Sequence, residues 1–192
     1  VRADAPYKTY GELVAHAKKN PGKLNYGSSG IGSVPHLAVV ALAKAANIDV
    51  FHVPHKGEAD ALASILGGHI TMFVSHPTFM TAHADKIRAL FVLAPNRLPD
   101  HPNVPTIVEQ SGPALSFEVW GGLAVPKGTP APVLAALENA CKVATSSEAF
   151  TKQMQTLQTP VKYLDGKSFA SFVAAEFERN GRLLRESGIP KE

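Results

Sequence analysis

A single cysteine, Cys141, stands in 192 residues, so no disulfide can form within the chain and cysteine usage leaves the redox compartment open. No apolar run approaches the roughly 20 residues needed to span a bilayer. The start, Val1-Arg2-Ala3-Asp4, has neither a signal peptide's apolar core nor an initiating methionine, and reads as a fragment or a processed product. Aromatic residues make up 7% of the chain and do not interleave with Lys and Arg along a stripe, so the net charge of +3 carries no nucleic-acid signal. Internal repeats and low-complexity runs are also missing. What remains, 45% apolar against 18% charged residues, is the balance of a globular chain long enough for one large domain or two small ones.

One stretch organises the rest. Leu24 to Tyr26 is short and apolar enough for a buried strand, Gly27, Gly30 and Gly32 let the backbone turn tightly, and Ser33 followed by Pro35 is helix-start chemistry. The first N–H groups of such a helix point into the loop and favour an anion. Three glycine patterns nearly match. Gly27 and Gly32 have P-loop spacing, but Ser33 and Val34 follow where Lys and Ser or Thr are needed, so no cation meets a polyphosphate. Gly30-Ile31-Gly32 begins a dinucleotide fingerprint whose last glycine is replaced by Pro35. Gly27-Ser28-Ser29-Gly30-Ile31 resembles a nucleophile elbow with Ile31 at its second glycine, which makes Ser29 a poor nucleophile. A loop of N–H and hydroxyl donors without a fixed cation suits a carboxylate.

A β-α rhythm surrounds the loop. Helices are expected over 10–19, 34–46 and 59–66, with another closing at 82–85, and strands over 24–26, 49–53, 70–74 and 87–93. The alternation implies an α/β fold with a mainly parallel sheet, helices on both faces and ligands at the strands' carboxyl ends. The loops 27–33, 54–57 and 75–77 meet that condition. Past Ala94 the prolines 95, 99, 102 and 105 mark a long loop, 106–110 is a helical turn or two, and 116–125 reads as a strand carrying Trp120. Helices follow over 132–144, 148–157 and 168–187, with a short strand at 161–163. Their apolar faces need a sheet that few remaining strands can supply. His36, His52, His55 and His76 lack a Cys or paired carboxylate to complete a metal set, so no metal and no cofactor are expected.

The run Asn20-Pro21-Gly22-Lys23-Leu24-Asn25-Tyr26-Gly27-Ser28-Ser29-Gly30-Ile31-Gly32, with Pro35-His36-Leu37, resembles the Bug or TctC-like extracytoplasmic solute receptors of tripartite tricarboxylate transporters. Val53-Pro54-His55-Lys56-Gly57, Leu66-Gly67-Gly68-His69-Ile70, Pro102-Asn103-Val104-Pro105-Thr106 with Glu109, Trp120-Gly121-Gly122-Leu123 and Pro126-Lys127-Gly128-Thr129-Pro130 continue the likeness in order. The resemblance implies a type II periplasmic-binding-protein-like fold. Residues 1–116 would form one complete lobe, family domain 2, and 117–192 the crossing strand and C-terminal helical part of family domain 1, without that domain's N-terminal half and its second carboxylate-binding loop. It implies a periplasmic receptor for a small carboxylate or dicarboxylate, delivering to membrane transporter subunits without catalysis. Ser28, Ser29, Gly30, Ile31, Ser33, His55 and Ser75 are the expected ligand-binding residues. His55 stands where the family has Tyr, Ser75 where it usually has Asp, and Gly121 where an aromatic usually follows Trp120. Two other readings remain: a Ser-dependent hydrolase using Ser29 and a histidine, and a ligand-sensing regulatory domain, which would need a helix-turn-helix. With its helical faces uncovered, the chain is expected to self-associate or to expose an apolar patch.

Overall fold

The computed structural model describes residues 1–186. Seven helices and three strands are present among them: α1 (Tyr10–Lys19), β1 (Leu24–Ser28), α2 (Val34–Ala46), β2 (Val50–Pro54), α3 (Glu58–Leu66), β3 (Met72–Phe73), α4 (Pro77–Ala82), α5 (Ala131–Thr145), α6 (Glu148–Thr156) and α7 (Gly166–Glu186). They fall into two compact units, one of Val1–Val119 with the chain from Leu183, the other Trp120–Arg182.

In the first unit the sheet order is β2-β1-β3, all parallel, with Tyr26 opposite both His52 and Met72. β1 is central and almost wholly buried. Its alternation sorts the helices between two faces. Leu24 and Tyr26 pack with Leu13 and Ala17 of α1 and Val39 of α2. Gly27 points the other way, where an added Cβ would lie 3.3 Å from Ala61 of α3 and 2.5 Å from Ile70, so only glycine lets that helix approach.

Local chemistry sets the helix ends. Thr9 Oγ1 accepts the Glu12 N–H to start α1, and Ser33 Oγ accepts the His36 N–H to start α2, with Pro35 in its first turn. Asn47, left-handed at φ 49°, ends α2 by letting the Ile48 N–H reach the Ala43 carbonyl. Thr106 and Glu109 cap each other, N–H to side chain in both directions, before a short 3-10 turn (Val108–Gln110). Arg97 closes on the same carboxylate and holds it down at about 2. The Pro-Asn-Val-Pro-Thr motif with the glutamate three residues on is therefore a capping device.

Several expected strands are shorter or absent. The 70–74 strand contracts to β3, and the Asn25 side chain bonds the residues just before it: its Oδ1 shares the Thr71 N–H, at 2.8 Å, with the Asn25 backbone carbonyl at 3.3 Å, and its Nδ2 donates to the His69 carbonyl at 2.9 Å. The 87–93 strand is replaced by two isolated bridges, Arg2 to Ile87 and Val92 to Thr106. Val92 donates to the Pro105 carbonyl and its own carbonyl accepts from Ile107, but Pro105 has no N–H with which to extend the ladder. The helix expected to close at 82–85 ends at Ala82, and turns follow. Residues 116–125 and 161–163 are not strands in the structure, although the Phe117 N–H donates to the Leu93 carbonyl at 3.0 Å. The end of the 168–187 helix at Ser187 lies outside the described residues.

The second unit holds α5, α6 and most of α7. Trp120 meets Phe169 and Phe172 edge-on, and Glu176 pairs with Arg179 at 2.6 Å. No apolar side chain among residues 120–182 is buried, and Phe177 is 76% exposed. These are amphipathic helices whose apolar faces lack a covering layer.

Candidate functional site

Parallel pairing puts the ends of β1, β2 and β3 at one edge of the sheet, with Ser28 opposite Pro54 and Gly27 opposite Phe73. The loops after them therefore meet at the carboxyl edge, where α/β sheets hold ligands. Of the expected site residues, Ser28, Ser29, Gly30, Ile31 and Ser33 form the loop from β1 to α2. His55 is tied to it by its N–H, which donates to the Ser28 carbonyl at 3.0 Å. Ser75 lies past β3, half-buried, its hydroxyl donating to the His76 carbonyl.

Within the loop the groups divide into supporting and available ones. Ser28, 1% exposed, donates its hydroxyl proton to the Gly30 carbonyl at 3.0 Å and accepts the Gly30 N–H at 3.2 Å. Ser33 Oγ donates to the same carbonyl at 2.7 Å. The Gly32 N–H donates to His36 Nδ1 at 2.9 Å, and the Ser33 N–H to the Gly30 carbonyl at 3.3 Å. These internal bonds engage the N–H groups of Gly30, Gly32 and Ser33, but not those of Ser29, Ile31 or Val34. Ile31 is 60% exposed and gives the loop an apolar tip. Gly30 and Gly32, at φ 124° and 76°, make this path accessible.

Sequence reasoning missed what lies beneath the loop. His36 and His52 stack with ring centroids 3.9 Å apart and planes within 7°, and Tyr26 stacks on His52 at 4.9 Å. The available signal was register: Tyr26 and His52 are strand partners, so their side chains share a face. His52 Nε2 sits 2.7 Å from Ser28 Oγ. Which of the two supplies the proton of this bond depends on the tautomer of the ring. Accepting from Gly32 leaves His36 with its proton on Nε2. Burial, with the neighbouring His36 and His55, pushes His52 down to about 4, and burial also lowers His36. Two positive rings at this separation would repel by about 4 kcal/mol at an effective dielectric of 20. The Ser28–His52 contact has the geometry of a nucleophile and its base, yet Ser28 is sealed from solvent and already bonded to Gly30 on both sides. His55 Nδ1 is buried and makes no hydrogen bond among the described residues.

A stability prediction follows from the stack. His52 titrates near 4 when folded against 6.5 when unfolded, so between those values the unfolded chain binds the extra proton. The contribution is complete above about pH 6.5 and is lost as pH falls towards 4. Thermal unfolding across that window is expected to lose on the order of 1–2 kcal/mol in the wild type, partial exposure of the ring screening some of the cost, and less in His52→Phe. A wild-type profile no steeper than the variant's would contradict it.

A family model described as "Tripartite tricarboxylate transporter family receptor" matches residues 1–189. The chain belongs to this family. It is 30% identical over 192 residues to the "UPF0065 protein in gbd 5'region" of Cupriavidus necator, covering 100% of this chain and 58% of that protein. Among solved structures, the periplasmic binding protein BugD superposes with a TM-score of 0.83 at 27% identity, over 100% of this chain and 65% of the other. R. palustris Rpa4515 with adipate superposes with a TM-score of 0.84 at 24% identity, over 98% and 64%. The fold is that of the periplasmic binding proteins, and the chain spans about three fifths of the length of these relatives.

Proposed function

We infer that this chain is part of a periplasmic receptor that captures a small carboxylate or dicarboxylate for a tripartite tricarboxylate-type transporter, with membrane transporter subunits as its partners and no chemical step. The observation that carries the reading is the loop from β1 to α2: a set of N–H donors left outside the loop's own hydrogen bonds, at the carboxyl edge of a parallel sheet. Neutral donors balance one carboxylate charge at a time. In this reading Ser29, Gly30 and Ile31 meet the ligand, Ile31 offering its apolar tip to the carbon chain. Ser28 and Ser33 hold the loop's shape, and His55 and Ser75 border it. Residues 1–116 are assigned to the complete lobe of family domain 2, and those from 117 to the returning part of family domain 1.

Adipate, the ligand held by the Rpa4515 structure, is the probe. Calorimetric titration of the chain with adipate and with adipamide is expected to show heat for the diacid alone. Activated esters incubated with the same protein are expected to remain intact, Ile31 breaking the nucleophile elbow and burial closing off Ser28. Equal binding of the diamide would remove the carboxylate reading. Ester turnover abolished by Ser29→Ala in a folded variant would replace it with a hydrolase.

A further inference from the structure

The β1–α2 loop takes its path from rings packed beneath it. Two of its residues are glycines in left-handed conformations, which leave the backbone many alternatives, and beside the serine bonds to Gly30 two contacts that select one run to imidazoles: Gly32 N–H to His36 Nδ1, and His52 Nε2 with the Ser28 hydroxyl that brackets Gly30. We propose that the stacked His36 and His52 are positioning residues for the loop, holding it in its anion-receiving form only while His36 Nδ1 is unprotonated. This deepens the carboxylate reading and rests on it for the word anion-receiving.

The reason is donor-acceptor balance. A proton on His36 Nδ1 turns an acceptor into a donor 2.9 Å from another donor, so the Gly32 bond is replaced by repulsion. The ring cannot turn aside freely, because it is buried and stacked on His52. The titratable groups around it are Tyr26 from β1 and His52 from β2, with His55 from the loop after β2 acting on His52. On the side of α7, where Leu184 approaches Gly32, Lys44 of α2 pairs with Glu186 in the open. Acid therefore loosens the loop from within, without touching a ligand contact.

Nitrogen-15 spectra of the chain test this without any ligand. The wild type is expected to show His36 neutral at pH 7 with its proton on Nε2, and the exchange protection factor of the Gly32 amide is expected to fall at least tenfold as His36 is titrated. His36→Phe, which keeps a stacking ring but no acceptor, is expected to show the same loss at pH 7, and His36→Gln, which keeps an acceptor, to recover part of it. The amides of Ala38 and Leu42 report whether α2 still folds; if His36→Phe loses them, the wild-type titration decides alone. Gly32 protection that ignores the protonation of His36 would overturn the proposal. So would adipate-induced shifts that are equally strong in wild type and folded His36→Phe. Histidine-dependent protection in a protein that adipate never perturbs would keep the positioning role and discard the carboxylate.

Discussion

Gly30→Asp is expected to abolish adipate binding. Two effects act there and can be separated. Gly30 sits at φ 124°, where any L side chain is strained by about 1–2 kcal/mol. An aspartate adds a negative charge where neutral donors would receive one. Gly30→Asn carries the same shape and the same strain without the charge, so it is expected to weaken binding modestly, and the aspartate by at least a further tenfold, about 1.4 kcal/mol. Both variants are expected to melt a few degrees below wild type and within a degree or so of each other. Calorimetric titration with adipate beside thermal unfolding separates the two effects. Equal affinities of the Asp and Asn variants would show that no anion meets this loop.

A second large effect is expected from supplying what the relatives have and this chain does not span. The chain covers 58% of the Cupriavidus necator relative, and no apolar side chain between residues 120 and 182 is buried. By the proposed assignment the uncovered faces of α5, α6 and α7 await the N-terminal half of family domain 1, which by the same proposal would also carry a second carboxylate-binding loop. Adding that half from a relative, fused or as a separate chain, is expected to raise adipate affinity tenfold or more, since one or two recovered hydrogen bonds supply the roughly 1.4 kcal/mol required. It should at the same time lower binding of a hydrophobic dye and shift light scattering towards a single defined species. Unchanged affinity and unchanged dye binding after addition would contradict the assignment of residues from 117 onward to an incomplete domain.

The sequence announced helices better than strands, and the reason is physical. α1 and α2 are set by their own caps, Thr9, Ser33 and Asn47, all readable within a few residues. A strand exists only through its neighbours, so 87–93, 116–125 and 161–163 have strand composition without the ladders that would make them strands. Asn25 illustrates the same point at one residue, its side chain sharing the Thr71 N–H with its own backbone carbonyl just before β3. The loop was legible because glycine spacing and helix-start chemistry are local. The rings that hold it were not: His36 lies on α2 and His52 on β2, and only the strand register and the approach of the helix bring them to 3.9 Å. Glu109 was visible as part of a motif, and its work as a cap for Thr106 and a partner for Arg97 appears only in three dimensions.

The most direct test of the account is an adipate titration of the nitrogen-15-labelled chain that follows every loop amide. Saturable shifts are expected to centre on Ser29, Ile31 and Val34, whose N–H groups stand outside the loop's internal bonds, with Gly32 still protected behind His36. Shifts that centre on another surface while these three amides stay unmoved would contradict it.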